Sequence, residues 1–327
     1  MPAYCLKFSA PLHVDSQGTS FYEAADPFVR SDTLSAAVLS AWAQLDPQGA
    51  EERAAEPPFL LSSAFPFFRE LRFLPRPVVS KALPLPEDRL DEAKSLKKVR
   101  WLDWDLWCRA VLGDLTWTEP ANRRDLPGGL AVYAPKAQEL PFAGEGFHVW
   151  REEERPRIAV ERGGGHAADK MLFYFTRIHY QRDGGLYFLA RFPDARAQGG
   201  FEAALSWLAD SGLGADRSNG HGLFTWEPDR AFDLPAPTPE GSGLLLSLAN
   251  PAPNDTVSGW LDGAAFEVVE RGGWVSGSSL RRNPVRMFAE GSSFRRPLEG
   301  RVLEVGRHPA GHPVFRDGRG FFVGTGG

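Results

Sequence analysis

Apolar positions recur along this chain with two periods, helical and strand-like, and the two kinds of segment alternate. Residues 31–42 open with Ser31, read as a helix N-cap, and carry Leu34, Val38, Ala41 and Trp42 at helical spacing. Residues 201–213 put Phe201, Ala204, Leu205, Leu208 and Leu213 on one face of a second helix. Apolar runs at 4–8, 171–181, 186–192 and 222–226 predict strands, and the Asp183-Gly184 pair between the middle two is a hairpin signal. The resulting order is β-α-β-β-α-β, the arrangement of ferredoxin-like and RRM-like domains.

The rest of the chain divides around this unit. Residues 57–86, rich in Pro and Phe, read as packed irregular surface structure, and 94–101 as a basic, snorkelling, solvated face. Phe67, Phe68 and Trp107 are expected on the surface, as parts of an interface. The proline-rich stretch 228–243 reads as a linker. Beyond it, short strand candidates at 244–248, 266–270, 285–288, 301–305 and 321–323 come with little sign of helix. The expected organisation is α+β: an N-terminal domain over 1–235 and a β-rich, degenerate second copy over 242–327.

Between the second helix and the strand that follows it lies a glycine-rich loop, residues 212–222, with Gly212, Gly214, Gly220 and Gly222 around Arg217, Ser218, Asn219 and His221. Glycines at that density allow main-chain N–H groups to converge and an anion to approach them, with Arg217 and Ser218 adding charge and a hydroxyl. Such a loop suits a phosphate-bearing polymer. The competing reading is a helix stop followed by a tight strand entry. The pattern is neither GxGxxG after a strand nor a P-loop, which disfavours a dinucleotide or ATP site.

Composition narrows the class. With 327 residues, 43% hydrophobic and 12% aromatic, the chain can bury a large core and form two domains. Two cysteines, Cys5 and Cys108, exclude a disulfide scaffold and a cysteine-based zinc site and suit a reducing compartment. No signal-peptide pattern and no apolar run of membrane-spanning length is present, so a cytoplasmic protein with no membrane association is expected. The net charge of −5 argues against indiscriminate nucleic-acid binding. From residue 265 onward, however, ten arginines face six Asp and Glu, which predicts a basic face on an acidic body.

Seven stretches in order, 8–14, 31–34, 185–189, 212–222, 270–276, 287–292 and 312–316, resemble one family over nearly the whole chain. It is the fourth Csm subunit, a RAMP protein of type III-A CRISPR effector complexes. The resemblance implies a non-catalytic scaffold of two ferredoxin-like domains that holds the crRNA 5′ handle with the glycine loop and the first-domain surface, without a cofactor. It also implies docking against the large polymerase-like Csm subunit and the backbone RAMP subunit, with target RNA met only indirectly. A β-hairpin thumb, about 145–170, would wedge near the first guide nucleotides. Its Arg155, Arg157, Arg162 and Lys170 would pair with phosphates around an apolar Ile158 and Val160 tip.

The sequence departs from the family at Ser35, where an aromatic residue is expected, and at Arg30, where a histidine is. No RNP1 aromatic set is present, so handle recognition should use backbone contacts and splayed bases. Ser31 and Thr33 read as helix-capping residues that can also meet phosphate at a helix N-terminus. His13 and His221 are candidates to stack on or hydrogen-bond a base, with a structural role as the alternative. Arg217 is the leading phosphate ligand. Arg271 and Arg316 complete the RNA-binding set, although Arg316 and Arg319 around Asp317-Gly318 also read as a turn, and Trp274 reads as core rather than as a base platform.

Other functions stay open at this level. An endoribonuclease processing precursor crRNA would use His13 or His221 as general base. A target-cleaving backbone subunit would need a loop aspartate such as Asp26 or Asp32, and Asp32 is better read as a helix-start residue. A purely protein-interacting subunit would leave the glycine loop without RNA.

Overall fold

The computed structural model describes residues 1–15, 23–78, 93–137, 147–160, 167–229, 232, 234, 242–256 and 258–324, with side chains omitted over 158–160 and 167–172. The chain runs through β1 (Ala3–Phe8), α1 (Ser31–Leu45), α2 (Ala50–Ala55), β2 (Leu60–Leu61), β3 (Phe65–Phe68) and β4 (Leu71–Pro75). It continues through α3 (Ala93–Lys98), β5 (Trp101–Asp103), α4 (Trp104–Val111), β6 (Arg123–Leu126), β7 (Leu130–Tyr133) and α5 (Ala134–Ala137). Then follow β8 (Trp150–Val160), β9 (Ala167–Tyr180), β10 (Gly184–Arg191), α6 (Ala195–Ser211) and β11 (Phe224–Asp229). The C-terminal part holds β12 (Gly243–Leu245), β13 (Val268–Arg271), β14 (Val285–Phe288), β15 (Ser293–Phe294), β16 (Gly300–Arg307), β17 (Pro313–Arg319) and β18 (Phe322–Gly324).

The large sheet has the order β11-β1-β10-β3-β4-β5-β7-β6, with β2 added beside β10. Its first four strands are antiparallel neighbours, with α1 lying in sequence between β1 and β3 and α6 between β10 and β11. Side chains of β1 alternate between faces. Tyr4 packs under α6, 5.6 Å from the Phe201 ring and 5.4 Å from Phe188, while Cys5 lies beside the Arg72–Asp229 ion pair. The α6 stripe of Phe201, Ala204, Leu205 and Leu208 is buried as its spacing predicts, and Leu213 beyond it is buried too. The helix begins at Ala195, where the Asp194 carboxylate accepts from the Ala197 N–H at 2.8 Å, and stops at Gly212.

Three expectations are corrected here. The strands at 171–181 and 186–192 are not hairpin partners: Asp183-Gly184 makes a turn, but β9 pairs with β8 and β10 pairs with β1, β2 and β3. The second strand of the unit is Phe65–Phe68, inside the stretch read as irregular surface. That strand is buried along its whole length and therefore reads as a continuous apolar run without alternation, which a Pro-rich setting disguises. Phe67 and Phe68 on this strand and Trp107 on α4 are accordingly core residues and form no exposed patch.

The basic face at 94–101 is as expected, with Lys94, Lys97, Lys98 and Arg100 exposed over buried Leu96, Val99 and Trp101. After residue 242 the described residues contain no α-helix. They form the sheet β15-β12-β18 and the ribbons β13-β14 and β16-β17. Leu244, Leu246, Phe321 and Val323 join the main core, while Leu245, Phe288, Phe294 and Phe322 form a smaller one. The strands 244–248, 285–288 and 301–305 expected from the sequence are present in whole or part. No helix among the described residues is long and apolar enough to cross a membrane.

Candidate nucleic-acid interface

Two constellations stand on either side of residues 12–15. The first lies where the β8-β9 hairpin meets the glycine-rich loop. Main-chain hydrogen bonds weld this loop to its surroundings: Leu213 N–H to Gly222 C=O at 2.9 Å, Ala215 N–H to His13 C=O at 2.9 Å, and Gly222 N–H to Pro11 C=O at 2.8 Å. Asn219 and Gly220 close a 3₁₀ turn over Arg217–Asn219. The N–H groups of Leu213, Ala215, Asn219, Gly220 and Gly222 are thus engaged by carbonyls of the chain itself, as the competing reading of a helix stop and a tight strand entry requires. The glycines of the loop answer a steric demand. A Cβ at Gly222 would lie 1.9 Å from the Leu213 carbonyl oxygen, one at Gly214 2.3 Å from that of His13, and one at Gly212 2.4 Å from that of His221. Gly220 has open space around it but a φ of +80°.

Asp216, itself at φ +62°, organises the side chains of this region. It accepts from Arg157 Nη2 at 2.5 Å and from Asn219 Nδ2 at 2.5 Å, and His221 Nδ1 lies 3.3 Å away. The Arg157 guanidinium stands 4.2 Å over the Phe175 ring, against which His13 stacks with ring centroids 4.4 Å apart. His13 Nδ1 donates to the Thr176 carbonyl at 2.6 Å. Both histidines are buried, and burial pushes His221 below its ordinary pKa against the pull of Asp216. His13 is held on the hairpin by Thr176 and Phe175, and His221 packs on the same Phe175 ring with centroids 5.9 Å apart, the contacts that the structural alternative calls for.

The hairpin itself is present but runs over Trp150–Val160 and Ala167–Tyr180, longer than the expected 145–170. Arg155 is exposed and donates to Glu153 at 2.7 Å, whereas Arg157 is turned to Asp216. Arg162 and the Lys170 side chain lie outside the described residues.

The second constellation is a cleft of about 450 Å³ between α1, the glycine loop and the C-terminal ribbons. Asp32, one residue into α1, is buried and shared by two arginines from distant strands. Arg271 clasps it through Nε at 3.0 Å and Nη2 at 3.1 Å, while Arg316 Nη1 donates to the same carboxylate and its Nη2 to the Gly272 carbonyl at 2.6 Å. Burial acts to raise the Asp32 pKa, but the two guanidinium groups outweigh it and hold the carboxyl far below the usual carboxylate range. Thr33 Oγ1 accepts from Arg271 at 3.0 Å.

Ser31 is not the N-cap. Arg30 occupies that position without a capping side chain, and the Ser31 hydroxyl accepts from the Leu248 N–H at 2.9 Å, fastening α1 to the C-terminal strands. Thr33 does line the cleft, as do His13, Gly212, Gly214, Arg217, Arg271 and Arg316. Arg217, Ser218 and Asn219 are exposed. Trp274, read from the sequence as core, is 41% exposed at the cleft wall with the Arg281 guanidinium 4.5 Å over its ring.

One residue that sequence reasoning passed over stands out. Arg282 lines the same cleft half-buried, with its Nε shielded from solvent and without a hydrogen-bond partner, and it makes no ion pair among the described residues. Its burial and the nearby Arg316 depress its pKa. The available signal was the Arg281-Arg282 pair within the arginine-rich C-terminal part.

Residues 239–325 match the family described as the CRISPR Csm4 C-terminal domain. The chain is 28% identical over 310 residues to the CRISPR system Cms protein Csm4 of Thermococcus onnurineus, spanning 90% of this chain and 91% of that protein. It is 29% identical over 177 residues to the protein of the same name from Mycobacterium tuberculosis, which is 51% of this chain and 55% of that one. Among solved structures it superposes on a chain of the Csm3-Csm4 subcomplex of the type III-A CRISPR-Cas interference complex, with TM-score 0.68, 16% identity and 99% of each chain covered. A chain of the Csm1-Csm4 cassette in complex with pppApA follows at TM-score 0.60 and 21% identity, covering 99% of this chain and 96% of that one.

Proposed function

Because this chain belongs to the Csm4 family, we propose that it is a non-catalytic subunit of a type III-A CRISPR effector complex that grips the crRNA 5′ handle in the arginine cleft. It does so beside a large Csm1-like subunit and a Csm3-like backbone subunit, a reading supported by its likeness to chains of the Csm1-Csm4 cassette and the Csm3-Csm4 subcomplex. The observation that carries the reading is the charge of the cleft. Arg217, Arg271, Arg282 and Arg316 line it against Asp32 and Asp15, and Asp32 is held ionised between two of them. A surplus of cations in a groove 450 Å³ in volume suits a polyanionic strand.

The same reading takes the four-strand order β11-β1-β10-β3 with α1 and α6 as a ferredoxin-like domain over 1–235. Residues 242–327 are its helix-poor degenerate counterpart, and the β8-β9 hairpin is the thumb. Absence of catalysis is supported by the burial of the His13 and His221 side chains and by the engagement of His13 Nδ1 with the Thr176 carbonyl. Asp32, clamped between two arginines, is equally unsuited to proton transfer or metal binding.

The test is binding of a repeat-derived single-stranded RNA across a salt series. With about four phosphates held, log Kd should rise against log salt with a slope near 3. Arg217→Ala and Arg282→Ala should each lower that slope by about 0.7. A salt-independent affinity, or cleavage of the RNA by the purified protein, would overturn the proposal.

A further inference from the structure

A second cleft, about 520 Å³, opens on the far side of Arg282, between α1 and α2 on one wall and the β16-β17 ribbon on the other. Its character differs from that of the arginine cleft. The helical wall presents small side chains, Ala36, Ala43 and Ala54, with Leu39, and the ribbon contributes Val314 and Phe315. Two imidazoles on the ribbon, His308 and His312, lie stacked at the rim with centroids 4.6 Å apart and planes within 7°. Ser40 and Glu51 supply a hydroxyl and a carboxylate on the helical side. The volume falls within the ~300–1,000 Å³ typical of small-molecule sites, and an apolar lining with a few polar edges is their usual chemistry.

The two clefts adjoin. Ala36, Ser40, Ser276, Arg282 and Phe315 line both, so Arg282 stands at the boundary between them, near Asp32 but in no ion pair among the described residues. A cationic groove that adjoins, across an arginine, an apolar, aromatic-edged pocket has the polarity sequence of a nucleotide: phosphate outside, base inside. Recognition of single-stranded RNA commonly splays a base out of the strand onto aromatic or guanidinium planes.

We infer that this apolar cleft receives one splayed nucleobase of the RNA whose phosphates run through the arginine cleft, with Arg282 holding the phosphate or ribose at the boundary between the two. The inference rests on the proposed RNA-binding function. It adds a base-sized receptor that the glycine loop and hairpin do not provide.

The experiment uses the full-length protein and a short repeat-derived single-stranded RNA carrying 2-aminopurine at one position at a time. On binding, emission should change several-fold at one position and little at its neighbours. Ala43→Phe, which fills the pocket from α1 without touching the arginine cleft, should abolish that change and weaken binding about tenfold, leaving the salt slope as in the parent. An abasic site at the responding position should cost the parent protein the same factor and cost the variant nothing further. Should Ala43→Phe fail to fold, Ala54→Phe fills the pocket from α2. RNA bound with the expected salt slope but with no responding position, or with a response that survives pocket filling, overturns this inference and leaves the arginine cleft standing. Failure of the parent protein to bind the RNA overturns both.

Discussion

Beneath the glycine loop one cation meets one anion: Arg157 is matched by Asp216 and covered by Phe175, and His221 stays neutral against them. Across residues 12–15 the ratio is different. Two buried arginines share the single carboxylate of Asp32, and Arg282 stands next to them with none. Both regions are built from the residue types nominated for RNA contact. The first satisfies its charges internally and so fixes geometry; the second places four arginines against Asp32 and Asp15. The proposed function rests on that imbalance of charge, and not on the presence of arginine or glycine by itself.

The strongest way to test the contrast is to remove the shared anion. Asp32→Ala leaves Arg271 and Arg316 buried and facing each other, and breaking a buried ion pair by deleting one partner costs about 3–5 kcal/mol. Thermal unfolding should show a large fall in Tm, and a change of under about 1 kcal/mol would mean that the triad does not hold α1 to the C-terminal strands. Next in size is Gly222→Ala. A methyl group there would lie 1.9 Å from the Leu213 carbonyl oxygen at a φ of +73°, so the loop must shift, at about 2–3 kcal/mol. Denaturant unfolding measures it directly. Tolerance of alanine would show that the glycine is present for a ligand and not for the packing of Leu213 on Gly222.

How far the sequence foretold this arrangement follows from the same contrast. Features set by local periodicity were legible: α1, the apolar stripe of α6, the exposed lysines over Leu96 and Val99, the helix-poor C-terminal part. The order of the family-like stretches did not say that residues 31–34, 212–222, 270–276 and 312–316 would meet around one cleft. The pairing of strands was not legible either. Gly184 makes the turn an Asp-Gly pair announces, but the partner of β10 is Phe65–Phe68, more than a hundred residues earlier, and nothing local specifies that choice. Nor could the sequence say that Ser31 would face Leu248 rather than cap its own helix. Whether Arg271, Arg316 or Arg282 is matched depends on where a single aspartate sits in three dimensions, which is why the unmatched one was passed over.

The two regions should also part under acid. Burial lowers the His221 pKa below its unfolded value, so the unfolded chain binds that proton more readily. The stability contributed by neutral His221 is therefore complete above the ordinary histidine range near 6.5 and is lost as pH falls through it toward the depressed folded value. Asp32 is displaced in the carboxylate sense, lowered, so the stability it gives is complete above the ordinary carboxylate range near 4 and is lost only as pH falls below it toward the depressed folded value. Hydrogen exchange between about pH 7 and pH 5 should show protection at Leu213 and Gly222 falling while that of α1 holds. In His221→Gln the pH dependence at the loop should flatten. Equal loss in both regions would show that they respond as one unit.

The smallest effect on folding is expected at Arg282. Its guanidinium makes no ion pair among the described residues, its Nε has no partner, and the repulsion of Arg316 and Arg271 is set against the attraction of Asp32, so Arg282→Ala removes opposing electrostatic effects along with some packing of its aliphatic stem. The net change in unfolding free energy should lie within about 0.5 kcal/mol of zero, in the range of surface substitutions. The same substitution should weaken handle RNA binding several-fold and cut its salt slope by about 0.7, the signature of one lost phosphate contact. Arg157→Ala is the mirror control. It strips Asp216 of its partner and loosens the hairpin, with a cost in stability, but removes no cation from the cleft, so its salt slope should match that of the parent. If instead Arg157→Ala reduced the slope and Arg282→Ala left it intact, the RNA would run over the hairpin side, and the surplus charge around Asp32 would need another occupant.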